Sequence, residues 1–256
     1  MVYFLVGIWI LFIIRCKLIF QKNWRNEITS GKQIAAAKSM EFIDPNKVFG
    51  LGTGSTVNYL LKEIHEAYVS KGQSITAVST SEETTSIARR LGINIVDLDQ
   101  VDELDVVIDG ADEVDPKNNL IKGGGGALLM EKIVASHSKQ FIVIVDASKI
   151  VSKLGKFPLP IEIVQFGSEK TKNSVEKLLS RLGYQKTKVY FRGSPSEKYV
   201  TDQQNFILDL HLNEIEDTRQ LYQGLIGIVG VVEVGLFIDM AAKIIIGDSD
   251  GSYKVI

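Results

Sequence analysis

Three stretches of this chain set glycines, hydroxyls, acids and lysines at spacings that can hold an anion and move a proton. The sharpest is Lys122-Gly123-Gly124-Gly125-Gly126-Ala127-Leu128-Leu129-Met130-Glu131-Lys132. Consecutive glycines cost backbone entropy, so the run makes sense where backbone must lie against a ligand. Lys122 brings a positive charge to one side of that ligand. A helix is read from the glycines through about Ser136, and helical side chains tilt toward the N-terminus, so Glu131 leans back toward the loop. The helix dipole favours its ionised form, which suits a general base. An exposed helical glutamate is the plain alternative, and spacing alone does not separate Glu131 from Lys132.

The second stretch is Gly50-Leu51-Gly52-Thr53-Gly54-Ser55-Thr56. Glycines let the backbone approach an anion, the N–H groups of a helix start attract it, and Thr53, Ser55 and Thr56 add hydroxyl donors. Phosphate cradle and tight strand-to-helix turn are both open readings. Ser55 stands where a dinucleotide fingerprint needs its third glycine, and the Gly-Lys-Ser/Thr ending of a nucleotide P-loop is missing. The third stretch is Asp109-Gly110-Ala111-Asp112-Glu113-Val114-Asp115, directly after Val106-Val107-Ile108. Ligands of open α/β sheets sit beyond the carboxyl ends of strands, which is where Asp109 falls; a solvated acidic turn is the alternative. Lys32 and Lys149 can reach a phosphate but read by themselves as surface lysines. His65, His137 and His211 are scattered, which suits structural roles.

These residues need elements to hold them. Ser30 can cap a helix carrying Ile34, Ala35, Ala36, Ala37 and Met40. From there the chain alternates apolar strands with amphipathic helices: strands over 47–51, 75–79, 93–96, 104–108 and 141–145, helices after Gly54, over 82–91 and up to Ser136. Continuous apolar strands joined by helices predict a doubly wound, mostly parallel sheet. Beyond Pro158 and Pro160 the pattern changes to a strand over 161–164, a helix over 169–182, strands over 188–192 and 206–211, and a helix over 214–224. That is a smaller α+β module of the ferredoxin-like kind. Segments 230–237 and 243–246 read as strands returning to the large sheet. The division is thus 26–157 with 228–256 for the larger domain and 158–227 for the smaller one.

The chain has 256 residues, is 45% hydrophobic and 23% charged, and carries a formal net charge of −2. That length can bury a sizeable core. The balance does not favour nucleic acid or an anionic membrane, whose binding needs a basic surface, but a local cluster of lysines and amides still suits a small anion. Cys16 is the only cysteine, which excludes an intrachain disulfide and a thiolate metal site. Residues 1–25 stand apart: 2–14 are apolar or aromatic apart from Gly7, and Arg15 and Lys17 follow. The uncharged run is shorter than the ~20 residues of a spanning helix, and its charges fall on the wrong side for a secretory signal. The reading favoured is a segment outside the natural mature protein; a membrane tether through residues 2–20 is the weaker alternative.

In order, Gly52-Thr53-Gly54-Ser55-Thr56, Asp109-Gly110-Ala111-Asp112-Glu113, Lys122-Gly123-Gly124-Gly125 with Glu131-Lys132, and Asp146-Ala147-Ser148-Lys149 resemble the signature blocks of type A ribose-5-phosphate isomerases. Lys153-Leu154-Gly155, Phe157-Pro158-Leu159-Pro160 and the closing Gly230-Val231-Val232-Glu233-Val234-Gly235-Leu236-Phe237 extend the match, which runs from about Glu27 to the end. The resemblance implies a Rossmann-like domain with a smaller α+β domain, a homodimer, no metal and no cofactor, and the composition suits a cytoplasmic protein. It implies that ribose 5-phosphate and ribulose 5-phosphate are interconverted through an enediolate, with Glu131 as proton acceptor. Substrate contacts are implied at Thr53, Gly54, Ser55, Thr56, Asp109, Gly110, Ala111, Asp112, Lys122, Gly123, Gly124, Gly125 and Lys149, with Lys32 near the phosphate. In the chemistry this suggests, Lys122 and the loop amides stabilise an oxyanion while Asp109 and Asp112 assist ring opening and relay hydroxyl protons. A sugar-phosphate sensor domain of a transcriptional regulator would need a DNA-binding module, and 1–30 show no helix-turn-helix pattern. A nicotinamide-dependent dehydrogenase is disfavoured by the incomplete glycine fingerprint.

Overall fold

The computed structural model describes residues 30–194 and 196–256; the apolar segment 1–25 lies outside them. Ser30 accepts a hydrogen bond from Gln33 N and starts α1, Gly31–Ser39, whose Ala35 and Ala36 are buried. Chain alternation then builds β1 (Phe49–Leu51), α2 (Ser55–Ala67), β2 (Thr76–Ser79), α3 (Glu82–Arg90), β3 (Asn94–Ile95) and β4 (Val107–Asp109). Two short strands, β5 (Glu113–Val114) and β6 (Leu120–Ile121), precede α4 (Leu128–Ser136) and β7 (Phe141–Asp146). Late in the chain β13 (Lys243–Gly247) and β14 (Tyr253–Val255) add to the same large sheet.

The order β14-β13-β7-β4-β1-β2-β3 is that of a doubly wound sheet, parallel except for β14. The order of winding reverses between β1 and β4, which run parallel, and this is the switch point at which such sheets open a crevice beyond their strand ends. Burial explains the composition: β1 is buried along its whole length, as are the first five residues of β7. α1, α2 and α3 cover one face, with Leu60, Leu61, Ile64 and Ala88 against Ile108 and Ile144. Val134 and Ala135 of α4 pack on the other with Val107, Val143 and Phe141.

The smaller unit consists of β8 (Leu159–Ile163), α5 (Ser168–Arg181), β9 (Lys188–Phe191), β10 (Phe206–His211), α6 (Thr218–Ile226) and β11 (Val231–Val234). Its antiparallel sheet runs β11-β8-β10-β9, the ferredoxin-like order expected for the α+β module. Val175 and Leu179 of α5 and Leu221 and Leu225 of α6 bury themselves against Ile161, Ile163, Leu208 and Leu210.

Three expectations change. The stretch 230–237 does not return to the large sheet. Its first part is β11, paired with β8, and its last two residues are β12, Leu236–Phe237, paired with β6 in a three-stranded sheet β12-β6-β5. Strands of two residues carry no readable periodicity, so this third sheet had no signal. The helix expected over 214–224 begins at Thr218, where Asp217 caps Gln220 N, because Ile215 N–H is held by Leu154 O at 2.7 Å and its side chain is buried. β8 starts at Leu159 and runs through Pro160, whose carbonyl still accepts from Gly235 N at 2.8 Å.

Candidate active site

The turn after β1 is shaped by Asp109 at the end of β4. Gly52 passes so close that a Cβ there would collide with the Asp109 carboxylate. Asp109 Oδ1 accepts from Thr53 N at 3.0 Å and Gly110 N at 2.6 Å, tying the ends of β1 and β4 together. Gly54, at φ 114°, then turns the chain into α2, which has no side-chain cap. The first-turn amides of α2 are therefore open to an anion. Lys32 on α1 reaches the same place and donates to Ser55 Oγ at 2.9 Å. Thr53 differs from expectation, since its hydroxyl is engaged with Thr80 Oγ1 and Ser81 Oγ, both at 2.8 Å, and only the rest of the residue faces the cleft.

At the other end of the cleft lies a buried charge cluster. Lys122 Nζ stands 2.9 Å from Asp109 Oδ2 and 3.3 Å from Glu131 Oε2, and donates to Gly110 O at 2.6 Å. Asp109, Lys122 and Glu131 are only 1%, 2% and 4% exposed. Phe237 of β12 supplies a ring face whose centroid is 5.4 Å from the ammonium. Two carboxylates share one lysine, so one of them must hold its proton more tightly. Burial first, and the Asp109 charge second, push the Glu131 carboxyl up to about 8, with Lys122 pulling against both. Burial opposes the charge on Lys122, but Asp109 and Glu131 outweigh it and keep the ammonium above its usual value. Glu131 Oε2 is buried without a well-aligned hydrogen bond, which leaves it able to take a proton.

The structure separates Glu131 from Lys132. Successive helical residues point about 100° apart. Glu131 faces the cleft, while Lys132 Nζ turns to Glu233 Oε1 at 2.7 Å, Val234 O at 2.6 Å and Leu236 O at 2.9 Å. Asp112 Oδ2 accepts from Gly124 N at 2.7 Å and so braces the glycine loop.

One cleft of about 270 Å³ is lined by Lys32, Thr53, Gly54, Ser55, Thr56, Gly110, Ala111, Asp112, Lys122, Gly123, Gly124, Gly125, Glu131 and Lys149. Asp109 lies behind that lining, in contact through Lys122. Four residues fell outside the expected set. Glu113, buried beside the acidic run, accepts from Gly155 N and Phe157 N at 2.7 and 2.6 Å. Thr80 and Ser81 hold the Thr53 hydroxyl, and Ser79-Thr80-Ser81 at a strand end was the available signal. Arg192, on the small unit, reaches the glycine-loop carbonyls across a sequence gap that no local pattern reveals. Among the described residues no group of His, Cys, Asp and Glu is arranged to hold a metal, and no helix is long and apolar enough to cross a membrane.

A doubly wound sheet that opens an anion cradle beside a buried carboxylate–lysine pair defines an α/β enzyme of proton transfer on small phosphorylated substrates. Residues 76–251 match the family model described as ribose 5-phosphate isomerase A (phosphoriboisomerase A). A ribose-5-phosphate isomerase A of Streptococcus pneumoniae is 50% identical over 220 residues, 86% of this chain and 94% of its own. One from Dinoroseobacter shibae is 46% identical over 228 residues, covering 89% and 88%. The solved ribose 5-phosphate isomerase of Plasmodium falciparum superposes with a TM-score of 0.81 at 37% identity, over 88% of this chain and 97% of that one. A D-ribose-5-phosphate isomerase in complex with phospho-erythronic acid gives 0.79 at 38%, over 88% and 96%. The chain belongs to the ribose 5-phosphate isomerase A family.

Proposed function

We propose that this cleft interconverts D-ribose 5-phosphate and D-ribulose 5-phosphate, with Glu131 as the base and Lys122 as the stabilising cation. The observation that carries the reading is the approach of Lys122 Nζ to Glu131 Oε2, 3.3 Å, at the buried end of a cleft that also contains Lys32, Lys149 and the open start of α2. The phosphate binds at Ser55, Thr56, Lys32 and Lys149, and the open-chain sugar extends toward Glu131. Glu131 takes the proton from C2 of the aldose, the C1–C2 double bond forms, and charge moves onto O1. A proton passes from O2 to O1, and Glu131 returns its own proton to C1, giving the ketose. Lys122 and the loop amides stabilise the enediolate where charge develops. Asp112 assists ring opening and hydroxyl proton transfer, and Asp109 acts on the same steps through Lys122. The phosphate anchor lets binding energy position the reacting carbons.

The reading uses no metal, because Lys122 and backbone amides supply the positive field. It includes a cytoplasmic homodimer, supported by the family motifs, and a two-domain division: 26–157 with 235–256 carrying the catalysis, and 158–234 forming the small module, its end moved to take in β11.

The test is a direct assay with ribose 5-phosphate, with and without chelator, on the natural chain and on Glu131→Gln. The variant is expected to bind substrate with little change in KM and lose ~10²–10⁴-fold in kcat, the usual worth of a general base. Near-normal turnover in the variant, or loss of natural activity to chelator, rejects the assignment.

A further inference from the structure

Arg192, just past β9 on the small unit, spends its guanidinium in two directions. Nε and Nη2 grip the Asp209 carboxylate, at 3.0 Å to Oδ2 and 2.6 Å to Oδ1. That fork fixes the guanidinium plane, and Nη1 is left aimed at the glycine loop, donating to Gly123 O at 2.8 Å and Gly124 O at 3.1 Å. Tyr199 from the same unit closes on the next residues, its ring occupying the space a Cβ on Gly126 would need.

A trans peptide points its carbonyl and its N–H to opposite sides, and the chain has no cis peptide bond among the described residues. Holding the Gly123 carbonyl toward Arg192 therefore turns the Gly124 N–H the other way, where it meets Asp112 Oδ2 at 2.7 Å. Holding the Gly124 carbonyl likewise turns the Gly125 N–H toward the cleft. Gly124 and Gly125 are exposed and have no side chains, so nothing in their own sequence selects these peptide orientations.

We propose that Arg192, braced by Asp209, is a positioning residue that sets the glycine-loop peptides so that the Gly124 amide holds Asp112 and the Gly125 amide is left to meet the developing oxyanion. The inference rests on the isomerase reading and deepens it: the smaller unit takes part in catalysis by orienting backbone donors. Lysine at 192 would keep the charge but not the planar fork, and so would not hold Asp209 and two carbonyls together. Arg192 makes its hydrogen bonds to Asp209, Gly123 and Gly124 and to none of Lys32, Ser55, Thr56 and Lys149, so phosphate binding there should be least affected.

The experiment compares the full chain with Arg192→Lys and Asp209→Asn. Each is assayed with ribose 5-phosphate and titrated with two inhibitors, phospho-erythronic acid and inorganic phosphate, with near-UV circular dichroism reporting the fold. Arg192→Lys is expected to lose on the order of 10²-fold in kcat, the scale of an ångström misplacement of reacting groups, with KM nearly unchanged. Asp209→Asn should lose a smaller factor in the same direction. Phospho-erythronic acid, which carries a carboxylate besides its phosphate, should weaken about in step with kcat while inorganic phosphate does not. Unchanged kcat in either folded variant overturns the proposal. So does an equal weakening of both inhibitors, which would mark general disturbance of the cleft, and so does failure of both variants to fold, which would make the pair a folding device. Absence of isomerase activity in the natural chain is a separate outcome that removes the functional reading itself.

Discussion

Asp109, Lys122 and Glu131 form a balance of charge that is one positive short when both carboxylates are ionised. Glu131 absorbs the imbalance, its carboxyl raised from 4.5 to about 8 by burial and by Asp109. A carboxyl so raised holds its proton more tightly than an ordinary one and, in the proposed role, is the stronger base once ionised. The same shift has a consequence for stability. Because the folded value exceeds the unfolded one, the folded chain binds more protons between about pH 4.5 and 8. The stabilisation is complete below the unfolded value and is lost as pH rises through the folded one. Glu131→Gln removes that slope, so its unfolding midpoint should climb relative to the natural chain between pH 5 and 9. A constant gap across that range in thermal scans would show that Glu131 is not raised. Lys149 illustrates a different kind of site residue: it lines the cleft but is not part of the Asp109–Lys122–Glu131 cluster. Lys149→Ala should raise KM and leave kcat close to normal; an unmoved KM takes it out of the phosphate site.

At the scale of elements, the site exists because the ends of β1 and β4 abut at the switch point of the sheet. Asp109 performs the joining with two backbone amides, and Gly52 makes room for it. Gly52→Ala is therefore expected to displace the Asp109 carboxylate from Lys122 while the sheet, held by its buried apolar strands, persists. Activity should fall on the order of 10²-fold, as for other ångström-scale misplacements, with the far-UV spectrum preserved. Wild-type kcat in that variant would mean the Asp109 position is not critical. α4 contributes in an equally specific way, presenting Glu131 to the cleft while Lys132 anchors its opposite side to β11 and β12. The anchor also places the Phe237 ring against the Lys122 ammonium, so the three-stranded sheet packs against the buried charge cluster.

For the whole molecule, the two larger sheets meet around the glycine loop. The large sheet supplies the strand ends and anion cradle, and the small one supplies Arg192, Asp209 and Tyr199 behind the loop. Every residue lining the cleft lies at or beyond Lys32. A chain beginning at Asn26 should accordingly stay soluble and keep full activity. Loss of folding on that truncation, seen as a lost cooperative unfolding transition, would show that the apolar segment belongs to the domain.

Local chemistry determined a good deal from sequence alone. Apolar strand runs, the Ser30 cap and the glycine-to-helix turns marked the doubly wound sheet, because burial on both faces and helix capping act over a few residues. The three motif stretches were legible for the same reason, as was Lys122 within them, while Glu131 was singled out by the family resemblance and not by local chemistry. Only the tertiary structure decided between Glu131 and Lys132, since their difference lies in which neighbours each meets across the helix. It also turned the Thr53 hydroxyl away from the cleft, divided 231–237 between two sheets, and brought Arg192 to the loop. Each of those depends on contacts between segments tens of residues apart, where hydrogen-bond geometry and packing select one arrangement and composition favours none.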